Sequence, residues 1–368
     1  MTSTSRKIAV YLNHPSHYYV FKKFIELIRG KGFVVKIFVK EKDILNEILE
    51  KENQDFKVIY SNKKSNSVMG LVFNVLGKNK VLYKELKKFK PNLMVSCGSD
   101  VAQVGFLMRI PSFVLNDDDA KIVPYSAYTG WPFAKNIFAP PSCDMGYWSK
   151  KTIFYKGYQK LFYLHPRYFR PEKSIVEKYI SEDKPYFLIR SVSLTAHHDK
   201  NIRGLNNELV ESLIEKLTPH GQVCISSERA LPESLEKYRL QINPLDMHHL
   251  ISFANLIIGD SQSMAQEAAL LGTPSIRFND FVGRIGVMEE LEHKYGLTFG
   301  ISPDYPEELL QKAEDLATLR DKDFFRNKAQ KMLDEMIDPT SMLVWFIENY
   351  PSSARIMKEN PDYQYNFR

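Results

Sequence analysis

Cysteine is scarce in this chain. Cys97, Cys143 and Cys224 are the three in 368 residues; they lie far apart and are odd in number. That excludes a disulfide framework, and no pair has the spacing of a zinc site. Long apolar runs are missing too: no window reaches the roughly 18 apolar residues that a membrane-spanning helix needs. Met1–Arg6 leads straight into an apolar strand without the charged and apolar regions of a secretory leader, so a cytoplasmic protein is expected. Internal repeats, low-complexity tracts and helix-turn-helix, RNA-binding or zinc-finger signatures are absent, which leaves nucleic acid outside the expected partners. Acidic residues are few in the first half. Residues 1–170 hold 28 Lys and Arg against 13 Asp and Glu, a net of +15, whereas residues 171–368 hold 22 against 31, a net of −9. A basic half of this kind attracts anionic surfaces or phosphorylated acceptors.

An alternation of short apolar runs with amphipathic stretches is present. The composition, 44% hydrophobic and 26% charged, is that of a soluble globular protein long enough for two cores. Strands are expected at Lys7–Leu12, 33–39, 56–60, Leu93–Ser96 and Ser112–Leu115, with helices at about 18–29, 43–52 and in the basic stretch before Pro91. The pattern restarts at 186–189 and continues through 222–226, 256–258 and Ser275–Phe278. Strands alternating with helices indicate βαβ units and parallel sheets, here an α/β fold of two Rossmann-like domains. The expected domains are 1–165 and 166–340. A C-terminal helix and tail, 341–368, is a candidate to cross back to the first domain. Prolines at 140, 141, 166, 171 and 185 suit the connection between the domains. In such sheets ligands sit beyond the carboxyl ends of the strands, and two domains facing one another make a cleft.

The most informative segment is 256–276, in which an apolar strand is followed by Asp260-Ser261-Gln262-Ser263, a helix, Gly272-Thr273-Pro274 and a second strand. A helix that opens right after a buried strand aims unpaired N–H groups and its positive dipole end at the crevice, which suits a phosphate. Glu267 lies about two helical turns further on, placed to accept hydrogen bonds from a sugar diol. Together they suggest a ribose diphosphate. The alternatives are that Ser261 only caps the helix and Glu267 is a solvated surface residue.

Gly259-Asp260-Ser261 with Glu267-Ala268 and Leu271-Gly272-Thr273-Pro274 resembles the nucleotide-sugar site of the UDP-N-acetylglucosamine 2-epimerase and GT-B glycosyltransferase superfamily. Asn13-His14-Pro15-Ser16-His17, Asn116-Asp117, Tyr155-Lys156-Gly157-Tyr158 and Ala196-His197-His198-Asp199 add a closer resemblance, to a glycosyltransferase-like family of prokaryotic proteins related to those epimerases. It extends over about residues 7–350 and implies GT-B architecture with a UDP-sugar held mainly by the second domain. Ser261, Gln262 and Ser263 would take the phosphates and Glu267 the ribose hydroxyls. The family's serine is usually followed by glycines, so this turn is bulkier. The base would be held by a loop around 239–243.

Histidine at the start of the first helix has an ordinary pKa near neutrality and suits a general base for an acceptor hydroxyl. His17 matches the histidine that glycosyltransferases of this superfamily place in that loop; capping the helix or binding a phosphate is the alternative for His14 and His17. Asp117, within Asn116-Asp117-Asp118-Asp119, is the second catalytic candidate. Arg190, ending a strand of the second domain, suits neutralising a departing diphosphate. His14, Ser16, Gly98, Asp100, Asn116, His197 and His198 are candidate substrate contacts. None of these sets has metal-ligand spacing, and no metal or cofactor is expected beyond the UDP-sugar substrate.

The resemblance thus implies an inverting, metal-independent glycosyltransferase moving a sugar from a UDP-sugar to a glycan or lipid-linked acceptor in surface-polysaccharide biosynthesis. A UDP-sugar 2-epimerase is the alternative, although epimerases carry Gly-Asp-Thr and a glutamate where this chain reads Gly98-Ser99-Asp100 and Asn116-Asp117. A nucleotide-sugar-binding protein without turnover is the other. Residues 147–170 interleave nine aromatics with six Lys and Arg and no acid, which suits either the inner face of an anionic membrane or packing at the domain junction. Oligomeric state is not legible.

Overall fold

Each expected apolar run becomes a parallel strand, and the central strands are buried on both faces as all-parallel sheets require. The computed structural model describes residues 6–40, 43–59, 68–180, 184–191, 203–227, 229–319, 321 and 323–368. The chain forms two units, Met1–His165 with Ile337–Arg368, and Pro166–Met336.

The first unit holds seven strands: β1 (Lys7–Leu12), β2 (Val34–Lys40), β3 (Phe56–Ile59), β4 (Leu93–Ser96), β5 (Ser112–Leu115), β6 (Asn136–Ala139) and β7 (Thr152–Phe154). They pair in parallel in the order β3-β2-β1-β4-β5-β6-β7. The order reverses between β1 and β4, and the crevice beyond the carboxyl ends of two such strands is where open α/β sheets bind ligands. The second unit holds β8 (Tyr186–Ser191), β9 (Gln222–Ser227), β10 (Leu256–Gly259), β11 (Ser275–Phe278) and β12 (Thr298–Ile301), in the order β12-β11-β10-β8-β9. Its reversal falls between β8 and β10, where Arg190 stands opposite Gly259.

The helix Pro15–Gly30 covers one face of the first sheet with Phe21, Phe24, Ile25 and Ile28, all buried. The segment that rejoins this unit starts at Ile337, ahead of the 341 boundary read from the sequence. Ile337 N donates to Lys156 O at 2.8 Å, and the helix Pro339–Glu348 seats Phe346 against Phe138, with ring centroids 4.9 Å apart. Asp338 anchors it: fully buried, its carboxylate accepts from Thr340 N and Ser341 N at 3.0 Å and from Ser341 Oγ at 2.6 Å. Asp338→Ala would strand the buried Thr340 N–H and the half-buried Ser341 N–H and is expected to cost about 2 kcal/mol. Urea unfolding checks it by a lower midpoint for the first unit.

Candidate functional site

Beyond the carboxyl ends of β8 and β10, the second unit brings four of the expected residues close together. Ser261 is the N-cap of the helix Gln262–Leu270, its Oγ accepting from Met264 N at 3.3 Å. Gln262 turns its amide inward, where Nε2 donates to Asn279 Oδ1 at 2.7 Å, while Ser263 stays exposed at the helix start. The bulk that distinguishes this turn from a glycine-rich one is therefore folded onto the residue after β11. Asn279 completes the brace by donating to Asp260 O at 3.1 Å. Asp260 itself is buried and paired with Arg229 at 3.0 Å. On the neighbouring strand Arg190 donates to Ser226 Oγ at 2.8 Å, which keeps a guanidinium at the switch point.

The helix ends as the Gly-Thr-Pro pattern demands. Gly272 takes a positive φ of 76°, and its N–H and that of Thr273 bond to Ala269 O and Ala268 O at 3.2 and 2.9 Å, closing a Schellman motif. Between start and stop Glu267 sits half-buried, its carboxylate 3.3 Å from His248 Nε2. Under the turn lies Arg277, fully buried at the end of β11, ion-paired with Glu292 and, at 3.5 Å, with Glu289. Its Nη1 also reaches Gln262 Oε1 at 3.5 Å. Glu292 in turn accepts from Gly300 N at 2.9 Å. His197 and His198 lie outside the described residues.

In the first unit the loops after β1 and β4 meet at the switch point. A Cβ on Gly98 would fall 2.5 Å from Asn13 Nδ2, so glycine lets the Asn13 amide lie close against this loop. His14 is exposed and caps the first helix, its Nδ1 accepting from Ser16 N at 3.2 Å and lying 2.8 Å from Ser16 Oγ. Pro15 follows at the first helical position, where its missing N–H is no loss. His17 is half-buried one turn in, its ring 5.9 Å from that of His14.

The two aspartates singled out from the sequence are both engaged by lysines. Asp100 is buried in the first turn of the helix Asp100–Met108, 2.7 Å from Lys78 Nζ. Asp117 lies 3.2 Å from Lys160 Nζ. Asn116 is buried and donates to Asp118 O at 2.6 Å, shaping the acidic turn. Around the Asp117–Lys160 pair gather Cys97, whose Sγ accepts from Gln159 Nε2 at 3.7 Å, and Asp118. Burial pushes the Cys97 thiol up, and the charge of Asp117 adds to it, so this cysteine stays a thiol.

Burial, together with the charges of Asp117 and Asp119, pushes the Asp118 carboxyl up to about 7. An acid raised in the folded state contributes stability below its unfolded pKa, near 3.8, and that contribution is lost as pH rises towards 7. Asp118→Asn is therefore expected to flatten the fall in stability between pH 5 and pH 8. Urea midpoints of both proteins at the two pH values check it, an equal fall removing Asp118 as the source.

Lys78, Lys160, His248, Asn279 and Arg277 carry no sequence signal beyond their residue types. The closest is the His248-His249 doublet inside an apolar helix pattern.

The fold and the two switch-point crevices define a two-domain α/β protein of the GT-B class. The chain belongs to the DUF354 family, a protein of unknown function, which it matches over residues 7–282. No curated protein matches it by sequence. Among solved structures it is similar to UDP-GlcNAc 2-epimerase from Rickettsia bellii, at 15% identity and a TM-score of 0.66, over 96% of this chain and 98% of that one. UDP-GlcNAc 2-epimerase from Neisseria meningitidis, bound to UDP-GlcNAc, matches at 15% identity and a TM-score of 0.57, over 89% and 99%. CalG4, the calicheamicin glycosyltransferase, matches at 12% identity and a TM-score of 0.61, over 95% and 100%.

Proposed function

We propose that the chain is an inverting glycosyltransferase that takes a UDP-sugar donor and passes its sugar to a hydroxyl of a glycan or lipid-linked acceptor in surface-polysaccharide assembly. The observation that carries this is the turn 259–263, where a braced helix start with exposed Ser263 sits beside Arg190 at the switch point of the second sheet. A diphosphate fits that position because N–H groups, a helix dipole and a guanidinium converge on it. Glu267 is the ribose ligand, aligned by His248. In the transfer, His17 takes the acceptor's proton as its oxygen bonds to the anomeric carbon, and the bond from that carbon to the diphosphate breaks. Arg190 and the helix start hold the leaving charge, so the step draws on no resident cofactor.

An epimerase must remove and return a proton and eliminate UDP, which calls for several disengaged carboxylates around the sugar. This chain departs from the epimerase pattern there, reading Gly98-Ser99-Asp100 and Asn116-Asp117, and Asp100 and Asp117 each hold a lysine. The decisive experiment incubates the purified protein with UDP-sugars, with and without candidate acceptors. UDP released only with acceptor supports transfer; an altered sugar configuration without acceptor overturns it in favour of epimerisation, and binding with neither leaves a non-catalytic protein. Glu267→Ala is expected to weaken UDP binding by about 10- to 100-fold, the loss of hydrogen bonds to a charged acceptor. Calorimetry checks it; an unchanged Kd removes the ribose role.

A further inference from the structure

The basic, aromatic stretch at 147–170 does not present its rings to solvent as a set. Tyr155, Tyr158 and Phe162 are fully buried, and Phe169 packs on His249 with ring centroids 5.0 Å apart. A group of exposed apolar side chains lies elsewhere in the first unit. Phe106 and Leu107, in the last turn of the helix Asp100–Met108, are 62% and 70% exposed. Phe106 meets the exposed Phe133 with ring centroids 5.3 Å apart. The helix Pro124–Thr129 is tied alongside, Gln103 Nε2 donating to Thr129 O at 2.7 Å, and it adds Tyr125 and Tyr128, the latter 76% exposed. Large apolar side chains brought together in this way on one flank mark an interaction surface rather than scattered exposure.

Cations border that flank at one end of the sheet. Arg109 closes the helix just before β5, Lys135 precedes β6 and donates its N–H to Ser112 O at 2.8 Å, and Lys150 and Lys151 precede β7. Parallel neighbours stand about 4.8 Å apart, so the amino ends of these three strands set the positive groups along one edge. Lys151 Nζ donates to Trp131 O and Pro132 O at 3.1 and 3.0 Å, joining that edge to the Phe133 loop. Lys150 Nζ lies 3.5 Å over the ring of exposed Tyr147. Partial burial and then the like charges of Lys135 and Lys150 lower the Lys151 ammonium pKa, which shows how closely the cations gather. The acids Asp117–Asp119 follow β5 at its opposite, carboxyl end.

We infer that this flank docks peripherally on an anionic phospholipid bilayer, with Phe106, Leu107 and Tyr128 entering the headgroup region and Arg109, Lys135 and Lys150 meeting lipid phosphates. The occupant follows from charge complementarity: apolar side chains bordered by cations, on a half of the chain with a net charge of +15, fit a surface that is apolar beneath and negative above. Among the described residues no helix is long and apolar enough to cross a membrane, so the contact is one of surface docking.

The inference does not rest on the nucleotide site, and its test has a separate readout. Full-length protein is floated with phosphatidylcholine vesicles and with vesicles containing about one third phosphatidylglycerol. Binding is expected only to the anionic vesicles, and it is expected to weaken as salt rises. F106S/L107S and K135E/K150E are each expected to weaken it about tenfold or more, with the melting temperature and UDP binding of wild type. Failure of the wild type to bind, or binding that both variants leave intact, overturns the proposal. A dimer in solution that F106S/L107S dissolves, without vesicle binding, overturns it and assigns the flank to a second copy of the chain.

Discussion

His17→Asn is expected to lower turnover by about 10²–10⁴-fold, the usual contribution of a positioned general base. The residue stands one turn into the first helix, half-buried at the β1–β4 switch point, while His14 is occupied in capping that helix. The loss should fall on kcat with UDP binding unchanged, because the diphosphate contacts belong to the second unit. A base also leaves a signature in pH dependence: the acidic limb of the kcat profile should vanish in the variant. Steady-state rates across pH, with calorimetric UDP binding alongside, make the check. Turnover within about threefold of wild type would remove His17 from the chemistry and return attention to the acidic turn at 116–119.

Arg277→Met is expected to destabilise the second unit by about 3–5 kcal/mol, because it leaves two carboxylates around a buried position with their cation gone. Glu292 keeps the Gly300 N–H, yet Glu289 and Gln262 lose Arg277. A methionine fills most of the volume, so the loss reports charge rather than a cavity. Since Gln262 also braces the turn 259–263, nucleotide binding should weaken alongside stability. Replacing Glu292 by Gln in the same background should recover part of the loss by removing the orphaned charge. Urea unfolding with a probe in the second unit decides; a midpoint shift worth less than about 1 kcal/mol would mean that the pair contributes little.

Much of the architecture was legible before any coordinates. Most strands of both sheets are expected from short apolar runs, since a strand covered on both faces has little polar alternation to show, whereas β6 and β12 are not. The strand–turn–helix at 256–270 and its Gly272 stop were legible for the same local reason: caps and αL residues leave their mark within a few positions. The capping role of His14 was visible as one of two alternatives, because proline at the first helical position and histidine before it were both in view.

The partners of the charged groups were not legible. Asp117 finds Lys160 across 43 positions, Asp260 finds Arg229 across 31, Arg277 finds Gln262 across 15, and Asp100 finds Lys78 on a different helix. Nothing in local periodicity sets such pairs; they depend on which strands become neighbours and where each loop emerges. Exposure behaves likewise. The aromatics at 155–162 suit either a membrane face or packing in sequence and are core, whereas nothing in the sequence marks Phe106 and Leu107 as facing solvent. Residue order settles most of the helices, strands and turns, because backbone geometry repeats over a few residues. Only the packing of the sheets and helices settles which charges are neutralised and which apolar side chains stay outside, because burial belongs to the assembled unit.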